Sequence, residues 1–428
     1  MMRPFRSPAL LLALLVAAAP DAVAQWLPVV QPESVGLSGE RLDRIRAFLQ
    51  RHVDDGNLAG AVALVARRGH VAYLQAVGMA DREAALAMGT DAVFRIASQS
   101  KAVTSVAIMM LVEEGAVALG DPVARFIPAY TRTTVAARTD TGLAIVPARR
   151  AITIRDLLTH TAGISYGTDS LVAERYRAAG LGPAAGHGWY LADKPEPVCT
   201  TMERLATLPF VAQPGERWVY GYNTDILGCV VERVSGMPFD RFLATRIFEP
   251  LGMNDTHFFL PPDKRARLAT VYAAGPGGGI ERAAEGPRGQ GHYVDGPRAS
   301  FSGGAGLLST ASDYGRFLQM LANGGELDGV RLLSPMTVTL MTVNQTGTLY
   351  DDADHGFGLG FEVLGSDGAD GTMGSAGTFS WGGAYHSTYF VDPREELVAV
   401  LLTQHLPPAV NVTGRFRTLV FQAVVVRN

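Results

Sequence analysis

Strand-like pairs stand at both ends of this chain, with a long helical stretch between them. Residues 61–67 (AVALVAR) and 70–77 (HVAYLQAV) meet at Arg68-Gly69, the pattern of a β-hairpin. Residues 385–391 (YHSTYFV) and 396–403 (ELVAVLLT) repeat it around Asp392-Pro393-Arg394. From about 102 to 320 the apolar residues recur mostly at helical spacing, as in 101–114, 153–159, 224–235 and 312–322. Gly- and Pro-rich loops such as 275–279 (GPGGG) and 286–291 interrupt them. A further helix is predicted over 38–55, with Leu42, Ile45, Phe48 and Leu49 on one face and Gly56 after its end. Residues 415–426 read as a closing helix. The pattern predicts an α+β fold: one antiparallel sheet formed from both chain ends, flanked by helices, with a large mostly helical insertion. An alternating parallel arrangement does not fit. The α/β part is expected at about 25–105 and 320–428 and the helical part at about 106–319, within a single catalytic domain spanning 25–428. The loops around 130–150, 180–200 and 275–300 are expected to shape the pocket.

The first residues read as a targeting segment. Arg3 and Arg6 precede an apolar run at 9–19, and Ala22-Val23-Ala24 offers a small-x-small cleavage site before Gln25, as in a secretory signal peptide over 1–24. The run is too short to span a bilayer, so a secreted or periplasmic protein with no stable membrane anchor is expected. A net charge of −4 gives no footprint for nucleic acid. The two cysteines, Cys199 and Cys229, are too few for a structural zinc site, and whether they are bonded stays open. No metal or organic cofactor is implied.

The chain carries 37 basic residues, of which only Lys101, Lys194 and Lys264 are lysine. One of them completes Ser98-Gln99-Ser100-Lys101 at the head of an apolar helical run, so Ser98 and Lys101 lie one turn apart on the same face. A serine hydroxyl needs a base to become a nucleophile, and a neutral amine can serve where a guanidinium cannot. The helix N-terminus adds amide donors for an oxyanion. The bland alternative is a helix cap followed by a solvated lysine. A rival nucleophile, Ser165, lies in Gly163-Ile164-Ser165-Tyr166-Gly167, a Gly-x-Ser-x-Gly match that has meaning only on a strand-to-helix turn. Helical residues precede it instead. An α/β-hydrolase reading would recruit Ser165 with Asp392 and His405.

Five stretches together resemble the serine β-lactamase and penicillin-binding superfamily: 94–128, 154–167, 214–236, 302–325 and 380–393. Within it, the class C β-lactamase-like (family VIII) carboxylesterases are the most similar branch. The resemblance implies a β-lactamase/transpeptidase-like fold and a site with Ser98 as nucleophile. Lys101 and Tyr220, from Tyr220-Gly221-Tyr222, would be its proton-transfer groups. It also implies that the amides of Ser98 and Ala384 form the oxyanion hole. Tyr222, the competing phenol, and Trp381, Gly382 and Gly383 would contact substrate. Two departures stand out. Tyr222 occupies the third position of the second motif, where β-lactamases carry Asn, and Asn223 comes one residue late. The strand motif has Trp381-Gly382-Gly383 in place of a Lys-Thr-Gly that would grip a substrate carboxylate. The expected substrate is therefore an apolar small-molecule ester or amide. β-Lactam or D-amino-acid peptide hydrolysis and a non-catalytic binding module are the alternatives; the oligomeric state is left open.

Overall fold

The computed structural model describes residues 28–427 except 141, 183–190, 192, 287–288 and 351–353. The expected signal peptide and its cleavage site lie outside the described residues. Eight strands form the central antiparallel sheet: β1 (Gly60–Arg67), β2 (His70–Asp81), β3 (Leu86–Ala87), β4 (His355–Phe357), β5 (Glu362–Leu364), β6 (Phe379–Gly383), β7 (Ser387–Asp392) and β8 (Leu397–Leu402). Their spatial order is β4-β5-β6-β7-β8-β1-β2-β3. The two ends of the chain meet where β1 pairs with β8, Val62 opposite Leu402 and Arg67 opposite Leu397. Both sequence-read hairpins thus enter one sheet, as the pattern predicted.

Every residue of β1 is buried, because both faces of the sheet are covered. Ala61, Ala63 and Val65 pack with Leu42, Ile45 and Leu49 of α1 (Gly39–Asp54) and with Phe416 and Val420 of the C-terminal helix at Thr413–Phe421. Val62, Leu64 and Ala66 face the larger core with Val103, Val106 and Ile108 of α2 (Ser100–Glu113). Alternation along the strand therefore divides the interior into two cores, one for each face. α2 is buried almost all round, which explains why its sequence shows little amphipathic contrast.

The middle region is less purely helical than its periodicity suggests. Residues Thr134–Thr139 and Gly142–Pro147 form a hairpin whose first strand also pairs in parallel with Pro209–Phe210, and Tyr272–Ala274 pairs with Ile280–Arg282. The second pair is only three residues a strand, and Gly142–Pro147 is largely exposed, so neither carries the buried alternation that marks a core strand. The helix α3 (Asn223–Ser235) is the spine of this region. A disulfide between Cys199 and Cys229 ties it to the neighbouring helix at Val198–Leu205 and settles the pairing that the sequence left open.

Candidate active site

Ser98 sits in a short 3-10 turn, Ala97–Gln99, that leads directly into α2. Ala97 holds a left-handed backbone at φ 44, a conformation that costs a residue with a Cβ about 1–2 kcal/mol. The turn lies against the end of β6. A Cβ built on Gly383 would stand 2.5 Å from the Ile96 carbonyl oxygen, so a glycine there lets strand and turn touch. Ser98 and Ala384 consequently line the same cleft, of about 450 Å³, with Ala97, Tyr166, Tyr220, Ala305, Tyr350, Glu362, Trp381 and Gly382 as its other walls.

Lys101 lies one turn along α2 beneath Ser98 and is 2 % exposed. Its Nζ is 3.3 Å from Ser98 Oγ, 2.9 Å from the Tyr166 hydroxyl and 2.7 Å from the Gly304 carbonyl oxygen. The carbonyl can only accept, so it takes one N–H. The other two partners are hydroxyls, each able to donate or accept. A neutral amine has two N–H bonds and one lone pair, and this arrangement lets the lone pair face the serine proton.

The backbone of Gly304 is itself held, through its amide. Asp225 of α3, fully buried, accepts from Ser302 Oγ at 2.5 Å and from the Gly304 amide at 3.1 Å. Burial pushes its carboxyl above the usual range, against the Ser302 hydrogen bond and the Lys101 charge, which act the other way.

Tyr220 reaches the cleft from the other side. Its ring centroid is 4.5 Å from Lys101 Nζ, and its hydroxyl accepts from the Trp381 indole N–H at 3.2 Å. Gly221 makes this possible. A Cβ there would lie 2.1 Å from the Ile164 carbonyl oxygen, so the backbone after Tyr220 lies directly on the 164–165 loop. That contact brings the Tyr166 and Tyr220 rings to 5.6 Å, nearly perpendicular. Tyr220 also packs on His160 at 4.9 Å and stacks on Trp218 at 5.6 Å. His160 is braced by the Asn223 amide at 2.8 Å from its Nδ1. Burial, with the Lys101 charge added, holds its imidazole well below the usual histidine pKa, so the ring is neutral.

Of the residues singled out in the sequence, Ser98, Lys101, Tyr220, Trp381, Gly382 and Ala384 converge here, and Gly383 forms the contact that closes the corner. Tyr222 does not. It is fully buried, and its hydroxyl accepts from the Gly182 amide at 2.7 Å. The expectation that it contacts substrate is corrected. One residue past the glycine that lies on the loop, the chain enters α3 and carries Tyr222 into the core. Asn223, one place further, serves the brace on His160. The loops at 130–150, 180–200 and 275–300 contribute no described residue to the cleft wall, whereas Tyr350 and Glu362 do. Tyr166 was missed as a site residue although it falls within a stretch that carried the resemblance. Glu362 and Tyr350 had no sequence signal, since Glu362 enters on the β4–β5 hairpin and Tyr350 on the segment before it, packed against Phe357 of β4.

The Ser165 alternative fails on geometry. Ser165 Oγ is buried and accepts from the Gly167 amide at 3.1 Å. His405 Nε2 accepts instead from the Ala59 amide, and Asp392 receives the Ser375, Arg394 and Glu395 amides. The flanking glycines serve packing: Gly163 has φ +80 with the Ala212 carbonyl 2.1 Å from a would-be Cβ, and Gly167 has φ +76 against the Tyr176 ring. We expect Gly163→Ala to destabilise the protein by about 3 kcal/mol or more, through strain and clash together. Ser165→Ala should cost only about 1 kcal/mol, for one hydrogen bond. Urea unfolding of both variants checks the order; equal losses would contradict it.

Comparison with known proteins agrees with this fold. The family model described as Beta-lactamase matches residues 45–423. Protein Rv1367c of Mycobacterium tuberculosis (strain ATCC 25618 / H37Rv) is 36% identical over 386 residues, covering 86% of this chain and 90% of its own. Esterase EstB of Burkholderia gladioli is 33% identical over 375 residues, 84% of this chain and 89% of its own. Among solved structures, EstCE1, a hydrolase with promiscuous acyltransferase activity, superposes with a TM-score of 0.73 at 28% identity, over 90% of this chain and 99% of its own. The chain belongs to the β-lactamase family, as one of its serine hydrolases.

Proposed function

We propose that this protein hydrolyses small carboxylic esters through an acyl-enzyme on Ser98. The observation that carries the reading is the Lys101 amine, buried under Ser98 Oγ at 3.3 Å with a carbonyl and a phenol as its other partners. Ser98 Oγ attacks the ester carbonyl carbon while its proton passes to Lys101 Nζ. The charge that develops on the carbonyl oxygen is stabilised by the amides of Ser98 and Ala384. The tetrahedral intermediate expels the alkoxide, which takes a proton from the Tyr220 hydroxyl and leaves as alcohol; Lys101 returns the proton to Tyr220. Water then attacks the acyl carbon, with its proton passing to the same groups. The C–O bond to Ser98 breaks, the carboxylic acid departs and Ser98 regains its hydrogen. Tyr166, at 2.9 Å from Nζ, orients the amine.

Trp381 and Tyr220 give the cleft aromatic faces where a carboxylate-gripping enzyme would place a cation, which favours esters over β-lactams and peptide C-termini. A panel of p-nitrophenyl butyrate, a cephalosporin and a D-alanyl-D-alanine peptide tests this. The ester should turn over with kcat/KM at least about 100-fold above either alternative. Preferred hydrolysis of the cephalosporin or the peptide would replace the ester reading.

A further inference from the structure

Resting on the ester-hydrolase reading and narrowing its substrate class, we propose that the cleft contains a subsite for an organic cation, so that the preferred esters carry an ammonium group on one arm. Among the described residues that line the cleft, Glu362 is the one charged side chain. It begins β5, opposite Ser380 of β6, and its side chain is 26 % exposed. Its Oε1 lies 2.6 Å from His355 Nδ1, and His355 Nε2 lies 3.1 Å from Asp370 Oδ2. One imidazole stands between the two carboxylates, and the half-buried Arg417 guanidinium acts on both of them, so part of their charge is met internally; Glu362 is nonetheless the charge that reaches the cleft wall. Lys101 does not offset this on the wall, because its amine is buried beneath Ser98.

The surfaces around Glu362 suit a soft cation. Trp381 packs edge-on against Phe357 at 5.3 Å, Phe357 lies 5.4 Å from Tyr350, and Tyr350 lies 5.0 Å from Trp218. Trp381 and Tyr350 line the cleft together with Glu362. Aromatic faces beside a carboxylate bind a quaternary or tertiary ammonium by cation–π attraction and charge, without the strict geometry that a primary amine needs. A substrate carboxylate in the same place would face like charge. The four steps from Ala384 back to Ser380 along β6 span about 13 Å. The cation therefore belongs several atoms from the scissile carbonyl, on the arm that runs along β6.

Two isosteric pairs test the proposal by exchanging a trimethylammonium for a tert-butyl group. One is p-nitrophenyl 6-(trimethylammonio)hexanoate against p-nitrophenyl 7,7-dimethyloctanoate; the other is butyrylcholine against 3,3-dimethylbutyl butyrate. The readout is the ratio of kcat/KM within a pair, from which any general loss of activity in a variant cancels. In the wild type, the charged member of at least one pair should be favoured about tenfold or more. Glu362→Gln should bring that ratio to within about threefold of unity, with Glu362→Asp between the two. A wild-type ratio at or below one in both pairs, or a ratio that Glu362→Gln leaves unchanged, overturns the cation subsite. Such a result leaves the esterase reading standing, since the neutral esters are still cleaved. If no member of either pair is hydrolysed, the esterase reading fails and the subsite falls with it.

Discussion

Ser98→Ala is expected to lower kcat on p-nitrophenyl butyrate by about 10⁴-fold or more, because the acyl-enzyme route is closed and only binding and oxyanion stabilisation remain. A fluorophosphonate probe should label the wild type at Ser98 and leave this variant unlabelled. The matched control is Ser165→Ala, which removes a hydroxyl that satisfies the Gly167 amide away from the cleft wall. It should keep kcat within about threefold, as expected for a substitution that disturbs no reacting group. The opposite outcome, activity kept without Ser98 and lost without Ser165, would reassign the nucleophile. The two serines separate cleanly because their surroundings differ in kind. One opens on a cleft with an amine beneath it; the other closes a turn between glycines that have no room for a Cβ.

Lys101→Arg is expected to cost about 10³-fold in kcat although it keeps a basic side chain in place, since a guanidinium offers no lone pair to the serine proton. Arginine is also the bulkier side chain, and the site is buried. Lys101→Met therefore accompanies it, to separate a lost base from a strained fold; both should lose the fast fluorophosphonate reaction while their thermal unfolding is followed. The two phenols differ in a way that leaving-group chemistry can read. p-Nitrophenolate departs without a proton, whereas an alkoxide does not. If Tyr220 protonates the leaving group, Tyr220→Phe should reduce ethyl butyrate hydrolysis by about 10²-fold or more and p-nitrophenyl butyrate hydrolysis much less. Tyr166→Phe removes a partner of the amine itself and should slow both esters alike. Equal losses on both esters for Tyr220→Phe would move the acid role to another group.

The chemistry-bearing pair was legible because it is local. Ser98 and Lys101 are separated by one helical turn, and that spacing alone puts them on one face. A lysine in a chain with only two others among 37 basic residues marked the position as one where an ionisable amine matters. The hairpins were equally plain, since alternation and turn residues act over a few neighbours. Tyr220 and the Trp381-Gly382-Gly383 strand needed the resemblance, because nothing near them in sequence distinguishes a site wall from a core strand. Tyr222 shows how narrow that margin is: two residues beyond Tyr220, it is buried and holds the Gly182 amide.

Sequence by itself determined the strand and helix periods, the antiparallel sheet built from the two chain ends, and the serine–lysine step at the start of α2. Only the tertiary structure decided that Gly221 rests on the 164–165 loop and so draws a second phenol, Tyr166, onto the amine. It alone brought Asp225 to the Gly304 amide, joined Cys199 to Cys229, and set Glu362 among aromatic rings on the cleft wall. Periodicity and spacing report what a residue's near neighbours do along the chain. Contacts between segments tens to hundreds of residues apart depend on how whole elements pack, and no local pattern encodes that.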